Sequence, residues 1–241
     1  MIHPGGDFME AEGPLVSVLD HGALKLIQYY GDDSMICRAA RVSVDGGVRE
    51  GTPSKERDRT LIRYLAKQHH TSPFEHCGAT FYVKAPIFVF RQWHRHRTQS
   101  YNELSGRYST TFREYYLPTV ERLITEQSQD SRQGQGRVKG PEEARLAREK
   151  IREHCEKALE EYHSLLEMGV SRELARTVLP LNVYSEMYAT ANLWNWTRFL
   201  KLRLAPDAQY EIRAYAKAIL AALKEIFPTG MGAFAEMEGW E

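Results

Sequence analysis

Residues 79–109 read ATFYVKAPIFVFRQWHRHRTQSYNELSGRYS, beginning apolar and ending among Arg, His, Asn, Glu, Ser and Gly. The β-branched and aromatic content of Ala79–Phe90 predicts a strand, with Pro86 marking an edge position or a break in its ladder, because proline donates no backbone N–H. A helical turn over Arg91–Arg97 would put Gln92, Arg95 and His96 on one side. Ser105-Gly106-Arg107 then offers a hydroxyl, an unhindered amide and a guanidinium within three residues. That set suits a phosphate group: glycine admits close approach and arginine gives bidentate, charge-assisted hydrogen bonds. The competing reading is a solvated cationic face with Glu103 as counter-charge. Such a face has no use for a Trp, a Tyr and a Ser-Gly-Arg in fixed register beside an apolar strand.

Upstream, Leu15–Leu19 and Leu24–Tyr30 are expected as strands of a hairpin turned at Asp20-His21-Gly22. Thr52-Pro53 opens a predicted helix carrying Leu61, Ile62, Leu65 and Ala66 at helical spacing and ending near His69-His70, ahead of Pro73. Downstream, residues 126–142 hold almost nothing apolar and are expected to be a mobile surface loop. Pro141 begins a long helix with Ala144, Ala147, Ile151, Cys155, Leu159, Tyr162 and Leu166 in one stripe, stopped at Gly169. Ser171 caps a short helix ended by Pro180, Leu181–Tyr188 is strand or extended chain, and Asn192–Leu204 is helical. A last helix runs from Asp207 to Pro228. Strands early and helices late predict an α+β fold, a mixed, mostly antiparallel sheet flanked by long helices, in a single domain over residues 1–241. No GxGxxG or GxxxxGK[ST] supports a Rossmann or P-loop site.

The chain has 241 residues with 32 Lys plus Arg against 32 Asp plus Glu, so no bulk charge draws it to nucleic acid or an anionic membrane. Any anion site must be local. Cys37, Cys77 and Cys155 lack disulfide or zinc spacing, and no metal site is expected. The N-terminal residues lack the order of a signal peptide, and no apolar run approaches the roughly 20 residues needed to span a bilayer. A soluble, cytoplasmic protein is expected.

Arg95-His96-Arg97-Thr98-Gln99-Ser100-Tyr101-Asn102-Glu103-Leu104-Ser105-Gly106-Arg107 matches, at every fixed position, the RHRxxSxNExSxR signature, and so resembles the flavin-dependent thymidylate synthases. The resemblance extends through Ala40–Ser43, His70–His76, Arg91-Gln92-Trp93, Arg172–Arg176 with Leu179-Pro180-Leu181, and Phe199–Arg203. It covers most of the chain from about residue 15 to 228.

The resemblance implies reductive methylation of dUMP to dTMP, with carbon from methylenetetrahydrofolate and hydride from NADPH by way of FAD, in a homotetramer with shared active sites. It assigns Gln92, Trp93, His94, Arg95, Glu103, Leu104, Ser105, Gly106, Arg107, Arg176 and Arg203 to dUMP. FAD would draw on Ser43, Ser72, Glu75, Arg95, His96, Arg97, Thr98, Glu103, Asn192, Trp194 and Arg198. Arg203 is the residue expected to stabilise negative charge on the pyrimidine, with His70 near the ring systems and Ser105 on the phosphate. Trp194 stands where many relatives have Arg, and Arg198 where Asn or another polar residue is common, so FAD contacts here are expected to be rearranged. Ser105 has no Ser-His-Asp arrangement to activate it and is assigned to binding. Cys77, followed by a strand, reads as a small buried hydrophobe.

The alternative function is a nucleic-acid-binding module that docks Arg91, Arg95, Arg97, Arg107 and Arg113 on phosphates. Net neutrality argues against it, as does the placing of Arg176 and Arg203 in helices with ordinary apolar stripes.

Overall fold

The computed structural model of the chain describes residues 13–45, 54–110, 112–124 and 140–240. The expected hairpin is present: β1 (Val16–Val18) and β2 (Gly22–Tyr30) pair antiparallel. Helix α1 (Asp33–Asp45) is capped by Asp32, whose carboxylate accepts the Met35 N–H at 2.8 Å. Helix α2 (Lys55–Lys67) starts at Ser54, whose hydroxyl accepts the Arg57 N–H at 3.4 Å. Thr52 and Pro53, the expected start, lie outside the described residues. The helix ends where the sequence suggested, His69 taking a left-handed φ of 55°.

A 3-10 turn (Ser72–His76) leads into β3 (Gly78–Pro86). Here the structure departs from the sequence reading. Residues 87–90 are not strand but the start of α3 (Ile87–Trp93), which buries Val89, Phe90 and Trp93. A short apolar run fits a buried strand and a buried helix equally well, and tertiary hydrogen bonds decide between them. The Ile87 and Phe88 amides, orphaned at the helix start, donate to the Val183 and Leu181 carbonyls, each at 3.0 Å. Nor is Pro86 on an edge strand. It is the last residue of β3, opposite Tyr184 and beyond the final β2 pair, Ala23 with Lys84, so its missing N–H disturbs no β2 ladder bond. The helical turn expected over Arg91–Arg97 is displaced likewise, since α3 ends at Trp93.

β4 (Ser100–Glu103) and the short α4 (Val120–Ile124) follow. Helix α5 (Pro141–Glu167) is the long helix expected, closed by Gly169 at φ 84°. Of its predicted stripe Ala144, Cys155 and Tyr162 are buried and the others half-buried. The loop expected before it lies, for residues 126–139, outside the described residues. Helix α6 (Arg172–Ala175) runs into a 3-10 turn (Arg176–Val178), and then come β5 (Tyr184–Asn192), α7 (Leu193–Arg203) and α8 (Tyr210–Ile226). Pro228 does not end the helical region but opens α9 (Pro228–Glu238). The Asp33 carboxylate caps it, accepting the Thr229 and Gly230 amides at 2.6 and 2.9 Å.

The fold is α+β. The sheet order is β1-β2-β3-β5-β4, and every strand pair among the described residues is antiparallel, rather than mixed. Strand alternation turns Phe81, Val83, Met187 and Ala189 into the core. There they meet Trp196 and Phe199 of α7, Ile212, Tyr215 and Ile219 of α8, and Phe234 of α9. The Trp196 indole N–H donates to the Ala79 carbonyl at 3.1 Å, fixing α7 on the sheet. A smaller cluster of Phe112, Tyr162, Ala175 and Val183 sits under α5 and α6.

Candidate active site

The charged segment is fastened from inside. Trp93 is fully buried, 4.7 Å from the Phe199 ring, and its indole N–H donates to Gln99 Oε1 at 3.1 Å. The Tyr101 hydroxyl lies 2.7 Å from the His96 carbonyl and 3.1 Å from the Trp93 carbonyl, tying the turn to β4. Trp93 and Tyr101 thus anchor a turn that follows the apolar α3 and displays Arg95, Arg97 and Thr98 to solvent. With its ring in the core, Trp93 supports the expected dUMP residues from beneath.

His96 faces the other way. It is 9% exposed, its ring 4.8 Å from Phe199. Arg203, in the last turn of α7, donates from Nε to His96 Nε2 at 3.0 Å, from Nη2 to the Gln92 carbonyl at 2.8 Å and from Nη1 to Gln92 Oε1 at 3.5 Å. Burial, then the Arg203 and Arg198 charges, push the His96 imidazole down to about 4. Burial also lowers Arg203, which stays charged. Gln92 is held in turn by a side-chain hydrogen bond to Gln209. Gln92 of α3, His96 of the turn that follows it and Arg203 of α7, named separately from sequence, thus form one cluster.

Glu103 accepts the Ser185 hydroxyl at 3.1 Å and lies 4.0 Å from His94 Nε2. The Leu104 amide is committed to the Glu186 carbonyl at 2.8 Å. Beyond β4 the chain turns at Ser105, whose carbonyl accepts the Tyr108 and Ser109 amides at 3.1 and 3.0 Å, while its hydroxyl accepts the Arg107 amide at 3.3 Å. Helix α6 and the turn after it support this loop. Arg107 pairs with Glu173 at 3.1 Å and Arg172 donates to the Tyr108 carbonyl at 3.2 Å. The Arg176 side chain lies against Gly106, where an added β-carbon would come within 3.1 Å of Arg176 Cδ. Ser105, Gly106, Arg107 and Arg176 therefore make a second cluster, on different supports from the first.

The residues expected around a flavin are more dispersed. Ser43 is exposed in α1, and Ser72 and Glu75 are exposed in the 3-10 turn that packs on α1 and α7. His70 is exposed, edge-on to Tyr64 at 5.9 Å. Asn192 caps α7 by accepting the Asn195 N–H at 2.9 Å, leaving its amide N–H groups for other partners. Trp194 and Arg198 line a cleft with His69, Lys201, Phe234 and Trp240. Sequence reading missed Tyr101, Gln99 and Gln209 as supports. The first two fall at variable positions of the signature, where only the inward alternation of β4 marks Tyr101.

Cys77 is fully buried, its thiol donates to the Asp32 carbonyl at 3.3 Å, and burial with the nearby Asp32 and Asp33 charges pushes it up to about 12. Among the described residues no group of three or more His, Cys, Asp or Glu is placed to hold a metal ion, and no helix is long and apolar enough to cross a membrane.

A family model described as thymidylate synthase complementing protein matches residues 25–229, spanning both clusters. The chain belongs to the flavin-dependent thymidylate synthase family. It is 48% identical over 226 residues to a flavin-dependent thymidylate synthase of Thermus thermophilus, covering 93% of this chain and 80% of that one. It is 42% identical over 219 residues to the flavin-dependent thymidylate synthase of Wolbachia pipientis wMel, covering 91% and 75%. Among solved structures, the UMP/dUMP methylase PolB from Streptomyces cacaoi, bound with 5-Br dUMP, superposes with a TM-score of 0.82 at 35% identity, covering 92% of this chain and 97% of that one.

Proposed function

We propose that this chain methylates dUMP at C5 to give dTMP, with methylenetetrahydrofolate as carbon donor and NADPH as reductant acting through bound FAD. It would work in the cytoplasm as a homotetramer with shared active sites. The observation that carries this reading is the Arg203 guanidinium, half-buried and held by His96 and Gln92.

Pyrimidine C5 is a weak nucleophile, and a cation fixed beside N3 and its neighbouring carbonyls stabilises negative charge as it develops on the ring. Arg203 supplies that cation. The Ser105–Arg107 turn with Arg176 takes the phosphate, Gln92, His94 and Glu103 line the nucleotide, and Ser105 acts as a binding group. No covalent bond to the protein is invoked: Cys37, Cys77 and Cys155 are all buried, and burial pushes the Cys77 thiol up to about 12.

The donor set fits a dinucleotide cofactor: Arg95 and Arg97 are exposed cations, Ser43, Ser72 and Thr98 exposed hydroxyls, and Arg198 lies with the Trp194 ring along one cleft. These residues, with Glu75 and Asn192, would hold FAD, whereas His96, expected there from sequence, is turned inward onto Phe199 and Arg203; His70 would steer the ring systems. Bound FAD supplies the hydride that NADPH delivers and that completes the methyl group. The test is the visible spectrum of the purified protein with and without NADPH, coupled to dTMP formation. A flavin that bleaches on NADPH addition and turnover that needs methylenetetrahydrofolate support the reading; a colourless protein that binds single-stranded DNA with steep salt dependence overturns it.

A further inference from the structure

The Arg-His-Arg run of the signature is divided between two environments. Arg95 and Arg97 are exposed, whereas His96 between them turns inward onto Phe199 and Arg203. A guanidinium carries donors and no acceptor, so the nitrogen it meets, His96 Nε2, must be the unprotonated one, and the ring proton sits on Nδ1. The charged groups facing this ring are Arg203 and Arg198, both from α7, and both disfavour a second proton on it. Gln92 from α3 and Tyr101 from β4, whose hydroxyl is 2.7 Å from the His96 carbonyl, are neutral neighbours.

We propose that His96 is a positioning residue for Arg203: its neutral imidazole, together with the Gln92 carbonyl, holds the guanidinium in one plane and aims its remaining N–H groups at the pyrimidine. The proposal rests on the reading of Arg203 given above. A free arginine side chain samples many rotamers, and anchoring it at both Nε and Nη2 removes that freedom before substrate arrives. Misplacement of a reacting or stabilising group by an ångström costs on the order of a hundredfold in rate, so the anchor matters to turnover even though it need not touch the base. His96 then acts through Arg203, and its loss is felt in the chemistry before it is felt in flavin binding.

Three preparations of the full-length holoenzyme test this: wild type, His96→Leu, which removes the acceptor, and His96→Gln, which restores a neutral one. The expected result is a fall in kcat of about tenfold or more in His96→Leu with FAD affinity within about threefold of wild type, and partial recovery in His96→Gln. Turnover within about twofold of wild type in His96→Leu, or FAD lost in step with turnover, overturns the proposal. Nitrogen-15 NMR of the histidine-labelled chain gives a readout independent of activity. The expected signal is an unprotonated Nε2 at His96 that moves on Arg203→Lys, and a protonated Nε2 overturns the proposal even where His96→Leu fails to fold. A wild-type protein that makes no dTMP would sink the reading of the reaction instead, while the NMR experiment still decides the His96–Arg203 contact.

Discussion

Gly106 and Arg176 lie in contact: a β-carbon on the glycine would stand 3.1 Å from Arg176 Cδ and 2.7 Å from the Phe112 ring. The glycine is therefore set by space, and the Arg176 side chain is held over the turn that carries Ser105 and Arg107. Gly106→Ala is expected to lower stability by about 1–3 kcal/mol through overpacking and to weaken dUMP binding. Thermal denaturation and a dUMP titration check it; an unchanged Tm with unchanged affinity would mean that Phe112 and Arg176 yield freely.

Arg203→Ala removes the half-buried cation assigned to the pyrimidine. Turnover is expected to fall by about 10²–10³, the loss typical of one preorganised donor to a developing charge. The flavin absorbance of the purified variant should persist. Retention of full dTMP formation would remove Arg203 from the mechanism.

Cys77→Ala is expected to keep its activity, at a stability cost of about 1 kcal/mol for the vacated volume. Because the thiol is pushed up to about 12, iodoacetamide at neutral pH should leave Cys77 unmodified in the native protein. Mass spectrometry of the alkylated protein settles the second point, and an inactive but folded variant would return the thiol to consideration.

The His96 ring makes a defined contribution to pH dependence. Its ordinary value is 6.5 and its value in the fold about 4, so between the two the unfolded chain binds a proton that the folded chain does not. The stabilisation is complete above pH 6.5, declines as pH falls toward 4, and is gone below that, amounting to at most about 3 kcal/mol. Urea denaturation of wild type and His96→Gln across this window should show the extra slope in wild type alone. Parallel curves would mean that His96 is protonated in the fold.

Tyr162 is fully buried, and its hydroxyl has no hydrogen-bond partner among the described residues. Removing an unpaired buried hydroxyl should be neutral or stabilising by up to about 1 kcal/mol. Tyr162→Phe is thus expected to melt at or slightly above the wild-type temperature. A clear fall would reveal a partner for that hydroxyl.

What was legible in the sequence followed from how local each feature is. The hairpin at Asp20-His21-Gly22 and the apolar stripe of α5 are short-range patterns, and both appear as read. The signature was legible because its residues are contiguous. The direction of His96 was not, since an Arg-His-Arg run has no periodicity to say which side chain turns inward. Helix α3 was hidden because Ile87–Phe90 suits either a strand or a helix, and the choice is made by the Val183 and Leu181 carbonyls, far away in the chain. Gln209 was missed for a similar reason, as its partner Gln92 lies more than a hundred positions earlier.

The cap that Asp33 places on α9 joins groups 196 and 197 positions apart. A ribosome must thus have passed residue 230 before this clasp can shut, and until then Ile36 lacks part of its shelter. Closing a contact across so long a separation carries a loop-entropy cost, and it lengthens the interval in which the half-made chain exposes sticky surface at this end of the core.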